Sequence, residues 1–409
     1  WLEHDNTKTT LTPPLGSGPY RVKEFKQSRY LIYERVPNYW GRNIGPHRGR
    51  HNFDIFRYEF YRDSTVAREA FRKGLIDYTM EGDPRYWYEG YDIPASDKGW
   101  LIKRKHTYQF YVGLLEGLVI NQRRKHLQDI KVREALVLAF NYDWYHRVIN
   151  QNIFIKPYSY FAPANFSAEG LPNEAELALL EPFRDGLPER LFTEPLQRPI
   201  SSGRGHNRSA LLKARNLLRE AGWAIRDGVL TNADGEELTL SFVIQTAGQK
   251  RIILPFVDEL SRLGFVPQIR MVESAQFVNL MRNFEFDFRF GQLGVAQPPG
   301  VEIVSYWDSK NAQLPNTRNL TGIESAAADE MVIRLMGARS KKELIASGKA
   351  LDRVLLWNFG IIPLRAVEGP SVVYWDKFGR PPFDAEIRTS FPAAWWYDEK
   401  KAARIELIN

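Results

Sequence analysis

From Leu238 to Gly291 the chain switches repeatedly between strand-like and helix-like patterning, and few folds accept that order. Leu238–Gln245 alternates apolar and polar residues as a half-buried strand does. Gln249–Leu263 repeats with a helical period and stops at Gly264, the residue that takes a left-handed helix end at least cost. Phe265–Val272 reads as a returning strand, Ser274 caps a helix running to about Asn283, and Phe286–Gly291 reads as a further strand. A shorter unit of the same kind lies upstream. There, Phe53–Tyr61 is β-rich, Asp63 or Ser64 caps a helix carrying Val66, Ala67, Ala70 and Phe71, and Gly74 ends it before the strand Leu75–Met80. Strands separated by helices of this length imply α/β layers.

A chain of 409 residues fits two or three domains rather than one core. Eleven Trp, 19 Tyr and 24 Phe are enough to fill cores and still line a binding surface with rigid contact area. The absence of Cys excludes thiol chemistry, cysteine-ligated zinc and disulfides. No run of about 20 apolar residues is present to cross a bilayer as a helix, and the opening Trp1–Asp5 has no apolar signal-peptide core. The formal net charge of +7 invites a polyanion-binding reading. Lys and Arg are interleaved with Asp and Glu, however, and the densest basic run, Arg42–Arg50, is broken by Gly and Pro. The excess therefore reads as mild steering of anionic partners, with no nucleic acid among them.

Tests for catalytic chemistry turn up little. Of the seven histidines only His47 and His51 share an i,i+4 spacing, in a loop and with no acid between them, which falls short of a zinc site. Gly16-Ser17-Gly18 lacks the third glycine and the following helix of a phosphate loop. No Gly-x-Ser-x-Gly elbow occurs. The expectation is a binder with no cofactor, no metal and no catalytic set. A soluble α/β hydrolase and a polyanion-binding protein stay open as alternatives.

Five phrases, taken in order, bear on function: Gly16-Ser17-Gly18-Pro19-Tyr20, Glu34-Arg35-Val36-Pro37-Asn38-Tyr39-Trp40, Ala70-Phe71-Arg72-Lys73-Gly74-Leu75-Ile76-Asp77-Tyr78, Asp129-Ile130-Lys131-Val132-Arg133-Glu134-Ala135-Leu136 and Leu351-Asp352-Arg353-Val354-Leu355. Together with Trp395-Trp396-Tyr397-Asp398 they resemble the family 5 extracellular solute-binding proteins, in particular the YejA-type oligopeptide-binding branch. The resemblance implies a two-lobed α/β periplasmic binding protein of class II type that closes on peptides or peptide-like solutes and delivers them to an inner-membrane ABC permease. Members of this branch begin with a signal peptide and a substantial N-terminal portion. The resemblance therefore implies that this chain is the C-terminal part of a receptor, with an incomplete first lobe and its own N-terminal fragment as an expected partner. The first lobe is expected at 1–112 plus 358–409 and the second at 113–357, with crossings near Tyr111–Asn121 and Ile361–Ala366.

The strongest local candidate for the site is the stretch from Phe290 to Gly300, where a strand is expected to give way to a Gly- and Pro-punctuated loop. In open α/β sheets ligands sit beyond the carboxyl ends of the strands, and glycines leave backbone groups available to an extended ligand. Gln292, Leu293, Gly294, Val295 and Gln297 are the expected contacts. In peptide receptors of the resembling family this segment lines the ligand and often carries an aspartate for its amino terminus; here Glu302 and Asp308 are the nearest acids after Phe290. Arg365 is a candidate for holding a carboxylate or for a structural ion pair. Glu116 and Asn121, at the outward crossing, are candidates for ligand contact or for hinge bonding. Tyr158 and Tyr160 are candidates for stacking on a ligand or for filling core.

Overall fold

The computed structural model describes residues 11–106, 111–161, 165–195, 207–296, 298–367, 369–381 and 393–405. In chain order its main strands are β1 (Tyr20–Lys26), β2 (Tyr30–Arg35), β3 (Ile55–Glu59), β4 (Tyr78–Met80), β5 (Leu101–Lys105), β6 (Tyr111–Ile120), β7 (Ala224–Arg226), β8 (Val229–Thr231), β9 (Thr239–Ile244), β10 (Val266–Met271), β11 (Phe288–Ala296), β12 (Ile361–Val367) and β13 (Ser371–Trp375). Two units divide the chain: Trp1–Gln109 with Pro370–Asn409, and Phe110–Gly369. The return strand β12 belongs wholly to the larger unit, because it pairs with β6 from Ile361↔Val119 to Val367↔Leu114. The second boundary accordingly falls at 369/370 rather than at 357/358.

The larger unit is built on a five-stranded sheet of order β10-β9-β11-β6-β12. β10, β9 and β11 are parallel, while β6 runs against both β11 and β12. Its two faces are covered separately, as the period of two along each strand requires. Leu115, Val119, Leu293 and Val295 face one layer with the helices Ala326–Met336 and Lys341–Asn358. Leu118, Ile120, Phe242 and Phe288 face the other, with the helices Ile130–Ala139, Arg208–Glu220 and Ala247–Arg262. The last of these begins in a capping box between Thr246 and Gln249, which settles two amide groups at the end of β9.

Several residues of the family-like phrases are folding devices. Asp352 is fully buried and accepts the amides of Tyr160 and Ala168, each at 2.8 Å. Beside it Arg353 donates to the carbonyls of Gly170 and Glu169 and pairs with Glu176 at 2.8 Å. Between them they fasten the proline-spaced stretch after Tyr158 to the helix Lys341–Asn358. Arg133 donates to the carbonyls of Asn358, Leu127 and Gln128, tying the helix Ile130–Ala139 to the end of the helix Lys341–Asn358. After the helix Ile130–Ala139 the chain makes one α-turn, Tyr142–Trp144, followed by a π-turn at Tyr145–Ile149. Gln151 and Asn152 follow it with left-handed φ of 47° and 55°.

The smaller unit holds two three-stranded sheets, β1-β2-β3 and β4-β13-β5. Phe71, Tyr91, Leu101, Val373 and Trp375 pack on one side of β13, and Val372, Tyr374, Phe378 and Trp395 on the other. The helix Ser64–Arg72 is capped by Asp63, which accepts from Thr65 and Val66. The β1-β2-β3 sheet differs: none of its residues is buried.

Candidate functional site

β11 runs on through Ala296, so the first part of the stretch expected to be loop is strand, while 298–300 are irregular as expected. The reason is packing. A Cβ on Gly291 would meet Val119 Cγ2 at 2.6 Å and Leu320 Cδ1 at 2.9 Å, so this glycine serves close contact within the sheet rather than a turn. β11 pairs with β6 all the way to Ala296↔Tyr111, but with β9 only at Phe288 and Arg289. Beyond Arg289, β11 therefore overshoots the carboxyl ends of β9 and β10, and among the described residues no strand occupies its other edge.

The direction of its peptide groups follows from the register. Asn121 N donates to Asp287 O, so Asp287 turns toward β6, and by alternation so do Arg289, Gly291 and Leu293. Gln292 and Gly294 turn to the vacant edge, as does the Phe290 carbonyl, whereas the parallel register directs the Phe290 N–H at Val243 of β9. Side chains meet most of these outward groups. Arg289 Nε donates to Phe290 O at 3.1 Å, Tyr306 Oη donates to Gly294 O at 3.2 Å, and Ala296 N donates to Glu302 Oε1 at 2.9 Å. Gln292 sits between these capped positions, exposed, and among the described residues its peptide groups have no loop or side-chain partner.

Three of the expected residues come together on one face. Gln292 and Arg365 both lie opposite Glu116 in the register. The Glu116 carboxylate accepts from Gln292 Nε2 at 2.6 Å and from Arg365 Nε. Arg365 also stacks over the Phe154 ring at 4.2 Å. Burial pushes the nearby Tyr145 hydroxyl up to about 12, with Arg365 pulling down and Glu116 pushing up. The group is half-exposed, presenting an amide, a carboxylate and a guanidinium in a row across β11, β6 and β12.

Other expected residues serve the fold. Leu293 and Val295 point into the core, so their side chains cannot line a ligand. Gly294 offers only backbone, and its carbonyl is taken by Tyr306. Asn121 is fully buried, with its amide donating to the carbonyls of Phe284 and Phe286 and its oxygen accepting from Arg123. Tyr160 is buried against Trp307 with its ring up to 6.0 Å away, edge-on. Tyr158 is half-buried next to it in sequence. Gln297 lies outside the described residues. His47 Nδ1 and His51 Nε2 do meet, at 3.1 Å, but among the described residues no group of three or more His, Asp or Glu could hold a metal ion. Arg289 and Tyr306 were not singled out from sequence, and Glu302 only as one of the nearest acids after Phe290; closeness to the Gly-punctuated stretch is the one signal that could have drawn notice to them.

A profile of the bacterial extracellular solute-binding proteins, family 5 (middle region), matches residues 2–314. The chain is a member of that family. It is 36% identical to the YejA protein of Escherichia coli K12 over 412 residues, covering 99% of this chain and 67% of the relative. It is 33% identical to the "probable peptide-binding protein YejA" of Agrobacterium fabrum, covering 96% of this chain and 64% of the relative. These relatives place it in the YejA-type branch, and it spans about two thirds of their length or slightly less. Among solved structures, the oligopeptide-binding protein AppA of Bacillus subtilis, in complex with a nonapeptide, matches with a TM-score of 0.71 at 15% identity, covering 93% of this chain and 66% of AppA. That likeness supports the α/β binding-protein fold.

Proposed function

We propose that this chain is the substrate-binding receptor of an ABC importer, working outside the cytoplasmic membrane, and that it takes peptides or peptide-like solutes along the outer edge of β11. The observation that carries this reading is the overshoot of β11 past β9 and β10, with the Gln292 peptide groups turned to a vacant edge. An extended ligand there would add a strand: its backbone pairs with Gln292, while alternate side chains point away and are read loosely. Exposed edges are otherwise a liability that proteins cover. Here a neighbouring cap of side chains on Phe290, Gly294 and Ala296 does the covering and can give way to a ligand. Delivery to a membrane permease is the step that follows capture.

Gln292→Pro tests the reading, since proline removes one outward N–H without touching the β6 ladder. The expected result is a loss of peptide binding of about tenfold or more, consistent with one or two missing hydrogen bonds, with nearly unchanged stability. Binding of a random peptide library at wild-type strength by this variant would remove the edge from the site.

A further partner belongs to the same reading. The β1-β2-β3 sheet carries Tyr20, Phe25, Tyr30, Tyr33, Phe56 and Tyr58 yet buries none of them, and sheet faces this aromatic are normally covered. The cover we infer is a polypeptide portion corresponding to the part of the longer relatives that this chain does not span. Peptide affinity should then depend on that portion. A 409-residue monomer that binds peptides tightly with nothing else attached would contradict it.

A further inference from the structure

Two irregular stretches of the larger unit border one cavity. On one side the chain leaves the helix Ile130–Ala139 and widens into the π-turn Tyr145–Ile149. On the other, the helix Ala247–Arg262 carries Pro255 in its interior. A π-turn and an internal proline each interrupt the regular ladder of helix hydrogen bonds, so neither is kept for the stability of its own helix. Between the two lies a cavity of about 190 Å³, lined by Phe140, Trp144, Tyr145 and Phe256. The Phe140 ring contacts those of Tyr145 and Phe256, with centres 5.4 Å and 5.5 Å apart and planes inclined by 60° and 70°. Rings set at such angles make a concave wall rather than a flat stack.

The same wall carries charge of one sign only. Asp258 and Glu259 line the cavity, and among the described residues no Lys, Arg or His does. Asp258 is exposed and pairs with Arg262 at 3.1 Å, one turn along the helix. Glu259 is buried, 7% exposed, beside the aromatic rings. A carboxylate in such surroundings acts in a low dielectric, where it attracts a cation more strongly than it would in water. Aromatic rings attract cations as well, quaternary ammonium ions above all. Both attractions favour an organic ammonium ion and neither favours an anion. A peptide is excluded by size, since cavities for drug-sized ligands begin at about 300 Å³.

We propose that this cavity is a second site of the protein, for a compact organic cation: a quaternary ammonium or short alkylammonium ion. Glu259 supplies the countercharge, and Phe140, Trp144, Tyr145 and Phe256 supply the apolar, π-rich wall. None of these side chains belongs to the Glu116–Gln292–Arg365 group or to the β11 edge, so this site and the peptide reading stand or fall separately.

The test titrates the full-length protein with the chlorides of choline, tetramethylammonium and butylammonium, read by calorimetry and by the Trp144 indole N–H signal in NMR. The controls are sodium chloride at equal ionic strength and dimethylbutanol, in which carbon replaces the charged nitrogen of choline. Wild type should bind choline with a single saturable site, about tenfold or more tighter than dimethylbutanol, and the Trp144 signal should shift. Glu259→Gln should remove most of that preference while binding dimethylbutanol within about threefold of wild type. Trp144→Leu, at a half-buried position, should weaken choline binding about fivefold or more while melting close to wild type. It carries the test by itself if Glu259→Gln does not fold. Equal binding of choline and dimethylbutanol overturns the proposal, because the cavity then selects shape and not charge. So does choline binding that survives both variants, which places the ion elsewhere. Absence of saturable binding by all three ammonium ions at about 10 mM overturns it as well.

Discussion

Two arginine–carboxylate clusters of the larger unit use the same chemistry in opposite surroundings. Around Arg353, Glu176 and Asp352, all three side chains are buried and nearly every donor meets a backbone or side-chain acceptor. Around Arg365, Glu116 and Gln292, the side chains are half-exposed on a sheet face and adjoin a strand edge that no strand occupies among the described residues. The buried cluster lies inside a phrase that marks the family, whereas the exposed one does not. Family-like phrases here report how the chain is fastened, and the edge proposed to receive a ligand is carried by residues between them.

The comparison can be broken by substitution, starting with the largest effect. Arg353→Ala should cost about 3–5 kcal/mol, because Glu176 is left charged in the core without its countercharge, with only the Asn173 amide still donating to it; urea denaturation measures this, and a cost under about 1 kcal/mol would mean that the buried pair holds nothing together. Leu293→Ala should lose about 2–4 kcal/mol from the cavity it leaves, while the peptide affinity of the folded fraction stays near wild type. A selective loss of affinity would return Leu293 to the site.

Two buried titrating groups predict opposite pH trends. Burial raises Asp352 from the usual 3.8 to about 7 despite its amide partners and Arg353. The folded state therefore holds its proton over pH 4–7 while the unfolded state does not, and this contribution to stability falls as pH rises through that window. Burial lowers His146 from 6.5 to about 4, with Lys156 adding and Asp143 and Leu364 opposing. Its contribution is fully present above about pH 6.5 and is lost as pH falls toward 4. Each is worth on the order of 1–3 kcal/mol, and the two largely cancel in wild type. Asp352→Asn should expose a stability that climbs from pH 4 to 6.5, and His146→Phe one that declines; a flat profile in both variants would contradict the assignment. The smallest effect is expected at the exposed cluster, where Glu116→Gln should change stability by no more than about 1 kcal/mol and peptide affinity by several-fold.

Much of the larger unit could be read from its sequence. β9, β10 and the helix Ala247–Arg262 lie within a few residues of where periodicity and caps put them, since those signals are local. β11 was cut short at Gly291 because Gly291 and Gly294 look like punctuation. Only the approach of Val119 and Leu320 explains the glycine at 291, and no local pattern reveals that. The Glu116–Gln292–Arg365 group was legible as three separate candidates but not as a group, because it joins strands 176 and 249 residues apart in sequence. Asn121 and Tyr160 had two readings each from sequence; burial and filled hydrogen bonds decide for the structural one.

The central claim is that the outer edge of β11 receives the ligand backbone, and amide hydrogen exchange tests it most directly. On adding a random peptide library to the full-length protein, the Gln292 amide should become strongly protected, with a weaker change at Gly294, while Arg289, Gly291 and Leu293, already bonded to β6, and Phe290, directed at β9, stay as they were. Tight peptide binding with no change in exchange at Gln292 would contradict the account.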